Sequence, residues 1–252
     1  MVHIDLNADL GETTAGNPVA DDGAMIELVS SANVACGFHA GDPVDISTTI
    51  AAAAARGVSI GAHVAYRDAP GFGRRFMDYA PAELTAEVLY QIGALDALAR
   101  SHGTRVSYVK PHGALYNAIV HHEQQAKAVI EGIKNFGEGL PVMLLPGGIA
   151  VREAESAGLR VIREAFADRN YNPDGTLVSR REANAVLSDP HQVSDRVIEI
   201  ARTGSLTAVD GTTLEVNAES VCIHGDSPGS VDMARSIVSS LAGENIEIRS
   251  LL

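Results

Sequence analysis

The first strand of the chain can be recognised from its alternation. Apolar side chains stand at every even position from Ile4 to Leu10, and Asp5, Asn7 and Asp9 stand between them. An apolar residue at every second position is typical of a β-strand. Because Gly11 and Glu12 follow directly, we predict a strand that ends in an acidic loop.

Later apolar runs also end at polar residues that can do chemistry. The residues at these run ends are His39, His63, Lys110, His112 and His224. Segments with helical signals lie between the runs. Asp42-Pro43 precedes an alanine-rich helix and Pro81 begins a long one. Strands that alternate with helices predict βαβ units and a parallel sheet.

About seven or eight such units predict an α/β fold, a closed or nearly closed (β/α) barrel. Barrels of this kind commonly reach 250 residues as one domain, so residues 1–252 are expected to form a single domain. Ligands bind at the carboxyl ends of barrel strands, where the polar residues should meet. Two long loops, 64–80 and 168–178, are expected near that rim, and the first is rich in Gly and Arg.

Composition excludes several classes of partner. With 19 basic and 32 acidic residues, the net charge of −13 disfavours binding to nucleic acid or to anionic membranes. No apolar run is long enough to span a bilayer, and no basic-then-apolar leader begins the chain. Two cysteines, Cys36 and Cys222, provide no disulfide framework. We expect a cytoplasmic protein.

The rim residues suggest two kinds of chemistry. Neutral imidazoles and a carboxylate bind a divalent ion, and a site with three protein ligands leaves a place for water. A lysine at the inner end of a strand, such as Lys110, costs free energy unless its charge is paired with an anion. It would either pair with Asp9, Glu12 or Glu164 or stabilise a developing oxyanion or a phosphoryl group. Arg74 would clamp a carboxylate or phosphate, or remain a solvated loop residue.

Residues 225–229 match the G-x-S-x-G pattern of a serine nucleophile elbow. An elbow needs the backbone N–H that follows the serine, and Pro228 has none. It also needs a downstream histidine, and none follows His224. We therefore interpret the segment as a turn that starts a helix and presents His224 and Asp226.

Seven stretches together identify a family. They are residues 5–12 (DLNADLGE), 31–43 (SANVACGFHAGDP), 61–68 (GAHVAYRD), 71–75 (GFGRR), 109–117 (VKPHGALYN), 164–169 (EAFADR) and 223–226 (IHGD). In this order they resemble the LamB/YcsF family across the whole chain. The resemblance implies an irregular TIM-like barrel of the glycoside hydrolase/deacetylase type.

The family includes the A subunit of ATP-dependent 5-oxoprolinase. The resemblance therefore implies a protein that works with subunits B and C to open 5-oxo-L-proline to L-glutamate at the expense of ATP. The sequence has no Walker A motif, so ATP is expected to bind in another way or on a partner. Distantly similar deacetylases bind a metal through an aspartate and two histidines. Carried over by position, these ligands are Asp9, His63 and His112, with His39 as a substitute.

The expected site has two groups of residues besides these metal candidates. The catalytic group is Asp9, Glu12, Lys110 and His112. The group that binds substrate or phosphate is Asn7, His39, Arg74, Tyr116, Asp168 and His224. Two alternatives stay open: a stand-alone metal-dependent amidohydrolase or deacetylase, and a non-catalytic subunit that binds substrate. A homo-oligomer also stays open.

Overall fold

The computed structural model describes residues 2–225 and 229–252. Its strands are β1 (His3–Leu10), β2 (Thr13–Thr14), β3 (Asn17–Pro18), β4 (Ser31–Ala35), β5 (Ser59–His63), β6 (Val106–Val109), β7 (Val142–Leu144), β8 (Val161–Phe166), β9 (Ser205–Thr207), β10 (Thr213–Glu215), β11 (Ser220–Cys222) and β12 (Glu247–Ile248). Its helices are α1 (Asp22–Ile26), α2 (Pro43–Arg56), α3 (Pro81–Ser101), α4 (Gly113–Ala118), α5 (Glu123–Phe136), α6 (Ile149–Ser156), α7 (Pro190–Thr203) and α8 (Ser230–Gly243).

Seven parallel strands close into a barrel. They run β1, β4, β5, β6, β7, β8 and β11 around it, and β11 pairs back with β1. The predicted α/β barrel of about seven strands is therefore confirmed. Strand β12 adds to the other end of β1, while β2–β3 and β9–β10 form two small antiparallel pairs.

Local sequence signals explain most of the boundaries. The Asp42 carboxylate accepts hydrogen bonds from the N–H groups of Val44 and Asp45, and α2 ends at Gly57 with a φ of 69°. The segment 115–136, which the sequence indicates is helical in one piece or two, forms the two helices α4 and α5. His121 and His122 lie between them, where the ring of His122 caps α5. The last strand, β12, covers only two residues.

The two faces of β1 have different roles. Its even-numbered apolar residues belong to the main hydrophobic core. Its odd-numbered residues Asp5 and Asn7 are buried and contact side chains from several strands. The odd-numbered face of β1 is therefore polar, while its even-numbered apolar face belongs to the core; Tyr108, Met143 and Ile162 form a separate buried hydrophobic cluster. Among the described residues, no helix is long and apolar enough to cross a membrane.

Candidate active site at the carboxyl ends of the strands

A cavity of about 540 Å³ opens at the carboxyl ends of the barrel strands. The predicted site residues that line it are Asp9, Glu12, His63, Arg74, Lys110, His112, Tyr116 and His224. His39 lies behind this wall, in contact with Glu12 and stacked on His112 with ring centroids 3.8 Å apart. The parallel strands thus bring together side chains that are more than 200 residues apart in sequence.

A hydrogen-bonded network fills the barrel beneath the cavity. The Asn7 amide donates to Glu164 (3.0 Å) and to Ser220 (2.8 Å). The Asn33 amide donates to Asn7 (2.7 Å) and to Asp9 (2.9 Å). Buried polar groups that satisfy one another hold a single arrangement. Asn7, which we predicted to bind substrate, is fully buried and belongs to the hydrogen-bonded network that holds the site residues in place.

Lys110 crosses this network as a buried cation. Its Nζ lies 2.8 Å from Glu164, 3.1 Å from Asp9, 3.2 Å from the Asn7 oxygen and 3.1 Å from the sulfur of Cys222. The predicted pairing with Asp9 and Glu164 is therefore present. Three N–H donors meet four acceptors, so a substrate oxygen would have to replace one of them.

The charges of Asp9 and Lys110 support each other. Burial alone would raise the pKa of Asp9, but its contact with His63 and the positive charge of Lys110 hold that pKa well below its usual range. Burial would likewise lower the pKa of Lys110, and Asp9 with the other anionic groups raises it instead. Asp9 is therefore an ionised carboxylate at the floor of the cavity.

Three histidines and Glu12 form a compact buried cluster. Glu12 Oε1 lies 2.8 Å from His39 Nε2, 3.5 Å from His112 Nδ1 and 4.0 Å from His63 Nε2. His63 Nε2 also lies 3.3 Å from Asp9. Burial, together with neighbouring histidines, lowers the pKa of His39 and of His112 well below the usual range. These two rings are therefore neutral at neutral pH.

Backbone carbonyls fix the tautomers of two of these rings. His63 Nδ1 lies 2.9 Å from the carbonyl of Lys110, and His112 Nε2 lies 2.9 Å from that of Phe72. A carbonyl only accepts, so both nitrogens are donors. The remaining nitrogens, His63 Nε2 and His112 Nδ1, then carry lone pairs that face each other at 3.0 Å. Such a contact needs a cation between the two atoms, either a shared proton or a metal ion.

The donor set suits a divalent metal ion. Ligand atoms from Glu12, His39, His63 and His112 all lie within 4.8 Å of one another. Imidazole nitrogens with a carboxylate are ligands that zinc and similar ions prefer. The facing lone pairs of His63 and His112 are an independent sign that a positive charge belongs there. Of the predicted ligands, His63 and His112 belong to this group. Asp9 lies beside it, in a second group with Cys222 and His224.

His224, which lines the cavity close to Asp9, forms a pair with Asp168. His224 Nδ1 lies 2.9 and 3.0 Å from the two Asp168 oxygens, and its ring stacks on Phe166 at 5.4 Å. Burial would raise the pKa of Asp168, but the charge and hydrogen bond of His224 lower it. Because Nδ1 is used in this pair, Nε2 is the ring nitrogen of His224 that can meet a ligand. Asp226, predicted beside it, lies outside the described residues.

Burial raises the pKa values of Tyr116 and of the two cysteines. The Tyr116 hydroxyl is buried and has no hydrogen-bond partner in the described part of the chain. Burial, with Glu164 nearby, raises the pKa of Tyr116 well above its usual value. Burial also raises the pKa of Cys36 to about 12 and that of Cys222 well above normal. Neither thiol is an activated nucleophile.

Our sequence reasoning missed several residues of the site. Asn33, in the middle of β4, holds both Asn7 and Asp9, and its own oxygen accepts from Tyr108 (2.6 Å). Arg169, Arg180 and Arg181 line the outer cavity wall. A polar side chain inside an otherwise apolar run would have drawn attention to Asn33. Arg180 and Arg181 lie just beyond the predicted loop 168–178, and extending that loop by three residues would have included them.

A closed parallel barrel with ionised, paired groups in a cavity at its carboxyl end is the architecture of a (β/α)-barrel enzyme. The sequence model of the LamB/YcsF family matches residues 4–252, and the chain belongs to this family.

Named relatives and solved structures agree with this assignment. The chain is 68% identical to the 5-oxoprolinase A subunit of Corynebacterium jeikeium (strain K411), over 99% of this chain and 96% of that protein. It is 57% identical to the 5-oxoprolinase A subunit of Kocuria rhizophila, over 99% of both. The crystal structure of a lactam utilization protein from Thermus thermophilus superposes with a TM-score of 0.94, at 40% identity, covering 99% of this chain and 100% of that one.

A more distant structure shares the fold alone. A family 4 carbohydrate esterase from Streptomyces lividans superposes with a TM-score of 0.54 at 10% identity, covering 100% of this chain and 93% of that one. This likeness bears out the prediction of a deacetylase-type barrel.

Proposed function

We propose that this chain is the A subunit of an ATP-dependent 5-oxoprolinase, which opens 5-oxo-L-proline to L-glutamate. Relatives that carry this name match nearly the whole chain at 57–68% identity. The observation within the structure that carries the proposal is the ionised Asp9 beside neutral His112 and buried Glu12 in one cavity. Such a group can activate water for attack on an amide carbon.

The chemistry explains why ATP is required. A lactam amide is a poor electrophile, and transfer of a phosphoryl group to its oxygen creates a leaving group. Water then adds to the ring carbon, and the ring C–N bond breaks as the nitrogen takes up a proton to become the amine. The product is an open-chain acyl phosphate, and a second water releases its phosphate to leave L-glutamate. In this chain Asp9 and Glu12 orient the water, and the ionised Asp9 accepts its proton.

Lys110 acts in this scheme mainly through Asp9. Its ammonium is already bonded to Asp9 and Glu164, so it keeps Asp9 ionised and in place. It also supplies a fixed positive charge below the position where negative charge develops on the substrate. Arg74 lines the same cavity and stacks on Phe72 with its guanidinium 4.8 Å from the ring centroid. We assign it to an anionic group of the substrate.

The lone pair on His112 Nδ1 has two exclusive uses. Without a metal it shares a proton with His63 Nε2 at 3.0 Å, because Nε2 of His112 is fixed as the donor to Phe72, and the base toward water is Asp9. Glu12, His39, His63 and His112 would hold a divalent metal, in which case the same nitrogen would be a ligand and Asp9 would remain the base. A bound divalent ion would supply Lewis acidity and lower the pKa of a bound water.

ATP and the partner subunits complete the proposal. The chain has no Walker A motif, so we assign the phosphoryl-transfer step to a complex with subunits B and C. His224 and Tyr116 line the cavity, and Asp168 is hydrogen-bonded to His224; we assign these three residues to the substrate.

The test is glutamate release from 5-oxo-L-proline, measured with and without ATP, for this chain alone and mixed with the two candidate partners. The proposal predicts glutamate only in the mixture that contains ATP. Failure of the complete mixture, under conditions where the three proteins associate, would reject it.

A second function is favoured by the metal-compatible cluster. A stand-alone amidohydrolase would use Glu12, His39, His63 and His112 to hold its metal and would need no ATP. It predicts a stoichiometric divalent ion, and hydrolysis by the chain alone that a chelator abolishes and added metal restores.

A further inference from the structure

The loop between β8 and α7 carries three arginines into the cavity. Arg169, Arg180 and Arg181 line the same space as Asp9 and Lys110. Arg169 is only 6% exposed, whereas Arg180 and Arg181 are exposed at the mouth. The proposed mechanism does not use any of the three.

Arg169 is a buried cation held by carbonyls. Its Nε donates to the carbonyl of Ala185 (3.3 Å) and its Nη2 to that of Val178 (2.6 Å). Within residues 2–225 and 229–252, it forms no ion pair with a carboxylate. Burial lowers the pKa of Arg169 to about 10, and the charge of Arg180 adds to this effect. Burying a guanidinium without an anion is costly, which suggests that an anion arrives with the ligand.

The nearby carboxylates are already occupied. Asp168, next to Arg169 in sequence, is bonded to His224. Asp9 is bonded to Lys110 at the floor of the cavity. The described lining therefore contains five Lys and Arg side chains against two carboxylates, in a chain whose net charge is −13. Positive charge gathered in one concave place, on an acidic protein, selects a small anion.

The size of the cavity also leaves room for an anionic substituent on the ligand. At about 540 Å³ it exceeds what a five-membered lactam ring needs, since cavities of 300–1,000 Å³ hold drug-sized ligands. The catalytic groups lie at its floor, so the remaining space lies toward the arginines. A substituent on the ring would extend into that space.

We propose that Arg169, Arg180 and Arg181 form an oxyanion subsite that binds the carboxylate of an acidic lactam, or a phosphoryl group carried by it. The identity of the lactam rests on the proposed function, whereas the anion subsite rests on the charges and contacts of the loop. Guanidinium groups offer paired N–H donors that match carboxylate and phosphate oxygens. A neutral lactam would leave Arg169 buried and unpaired, so the subsite would select acidic substrates.

The test is calorimetric titration of the whole chain with three probes: 5-oxo-L-proline, pyrrolidin-2-one and inorganic phosphate. Pyrrolidin-2-one has the same ring without the carboxylate. The test variant is the double substitution Arg180→Gln/Arg181→Gln, which changes two exposed residues and should fold. The control is Arg235→Gln/Arg249→Gln, which removes the same charge from arginines exposed by 62% and 54% and absent from the cavity lining. Arg169→Gln is a third variant.

The subsite predicts that phosphate and 5-oxo-L-proline bind the wild type and lose affinity by about tenfold or more in the loop variants. Binding in the control should stay near the wild-type value, and pyrrolidin-2-one should respond to none of the changes. Arginine-dependent binding of phosphate without binding of 5-oxo-L-proline would keep the subsite and reject the proposed substrate.

Three results would overturn the subsite. One is that neither anion binds the wild type. Another is that anions bind equally well to the loop variants, or lose as much affinity in the control pair. The third is that pyrrolidin-2-one weakens as strongly as 5-oxo-L-proline, since the loop would then act on the shape of the cavity and not on charge.

Discussion

The chemistry of this barrel depends on which atoms of its side chains are already committed. Lys110 uses its donors on Asp9 and Glu164, and His63 and His112 each use one N–H on a backbone carbonyl. The groups left over are the ionised Asp9 and two facing imidazole lone pairs. These leftover groups, more than the residue types, define what the site can do.

Removing the buried cation should destabilise the fold. Lys110→Met leaves Asp9 and Glu164 buried without their partner, so we expect the free energy of unfolding to fall by about 3–5 kcal/mol. The matched control is Lys127→Met, which breaks an exposed, solvent-screened pair with Glu123 and should lower the stability far less. Urea denaturation of both variants measures the difference, and similar costs would contradict a structural role for the Lys110 pairs.

The neutral histidines predict an acid-sensitive fold. His39 and His112 have pKa values well below the usual one in the folded state, so the unfolded chain binds more protons once the pH falls below about 6.5. Stability is therefore full above that pH and decreases as the pH falls, by up to about 1.4 kcal/mol per pH unit for each ring. Denaturation of chelator-treated protein from pH 8 to pH 5 tests this. A slope that His39→Gln leaves unchanged would assign the effect to other groups.

At the scale of elements, the site depends on close packing between the loop that follows β5 and the histidine cluster. Gly73 has a φ of 62°, and a Cβ added there would lie 2.7 Å from His112 and 2.9 Å from His39. The long loop after β5 therefore presses its backbone against the histidine cluster. It also provides the Phe72 carbonyl that fixes the tautomer of His112.

This packing can be tested with a pair of glycines. Gly73→Ala should destabilise the chain more than Gly16→Ala and should disturb the histidine cluster. Gly16 has a similar positive φ of 78° but open space around its Cβ position, so it controls for backbone strain alone. Strain costs about 1–2 kcal/mol at either position, and the clash should add about 1–3 kcal/mol at Gly73 only. Thermal denaturation and titration with zinc measure both effects. Equal results for the two variants would contradict a close contact at Gly73.

The sequence predicted the elements better than the contacts between them. Alternation and capping residues located β1, α2 and α3 because these signals are local. The ends of the apolar runs identified the strand-end histidines and Lys110. The preference of the metal-compatible cluster for Glu12 over Asp9 could not be predicted, since it depends on Lys110 reaching Asp9 across the barrel. The exact position of the break between α4 and α5 could not be predicted either, because no proline or glycine marks residues 119–122.

At the scale of the whole molecule, an acidic chain concentrates positive charge around one cavity. The net charge of −13 disfavours a polyanionic partner but says nothing about the local sign at the site. Arg169, Arg180 and Arg181 become meaningful only when the loop after β8 folds over the carboxyl ends of the strands. A barrel that closes through the pairing of β11 with β1 brings the first and last polar strand ends together.

The most direct test of the account is glutamate release from 5-oxo-L-proline with ATP, by the chain mixed with its two candidate partners, for wild type, Asp9→Asn and Asp21→Asn. Asp21 only caps α1, and asparagine caps equally well. We predict that Asp9→Asn lowers the rate by about 100-fold or more while Asp21→Asn keeps it. A rate for Asp9→Asn close to that of the wild type would place the ring-opening site elsewhere.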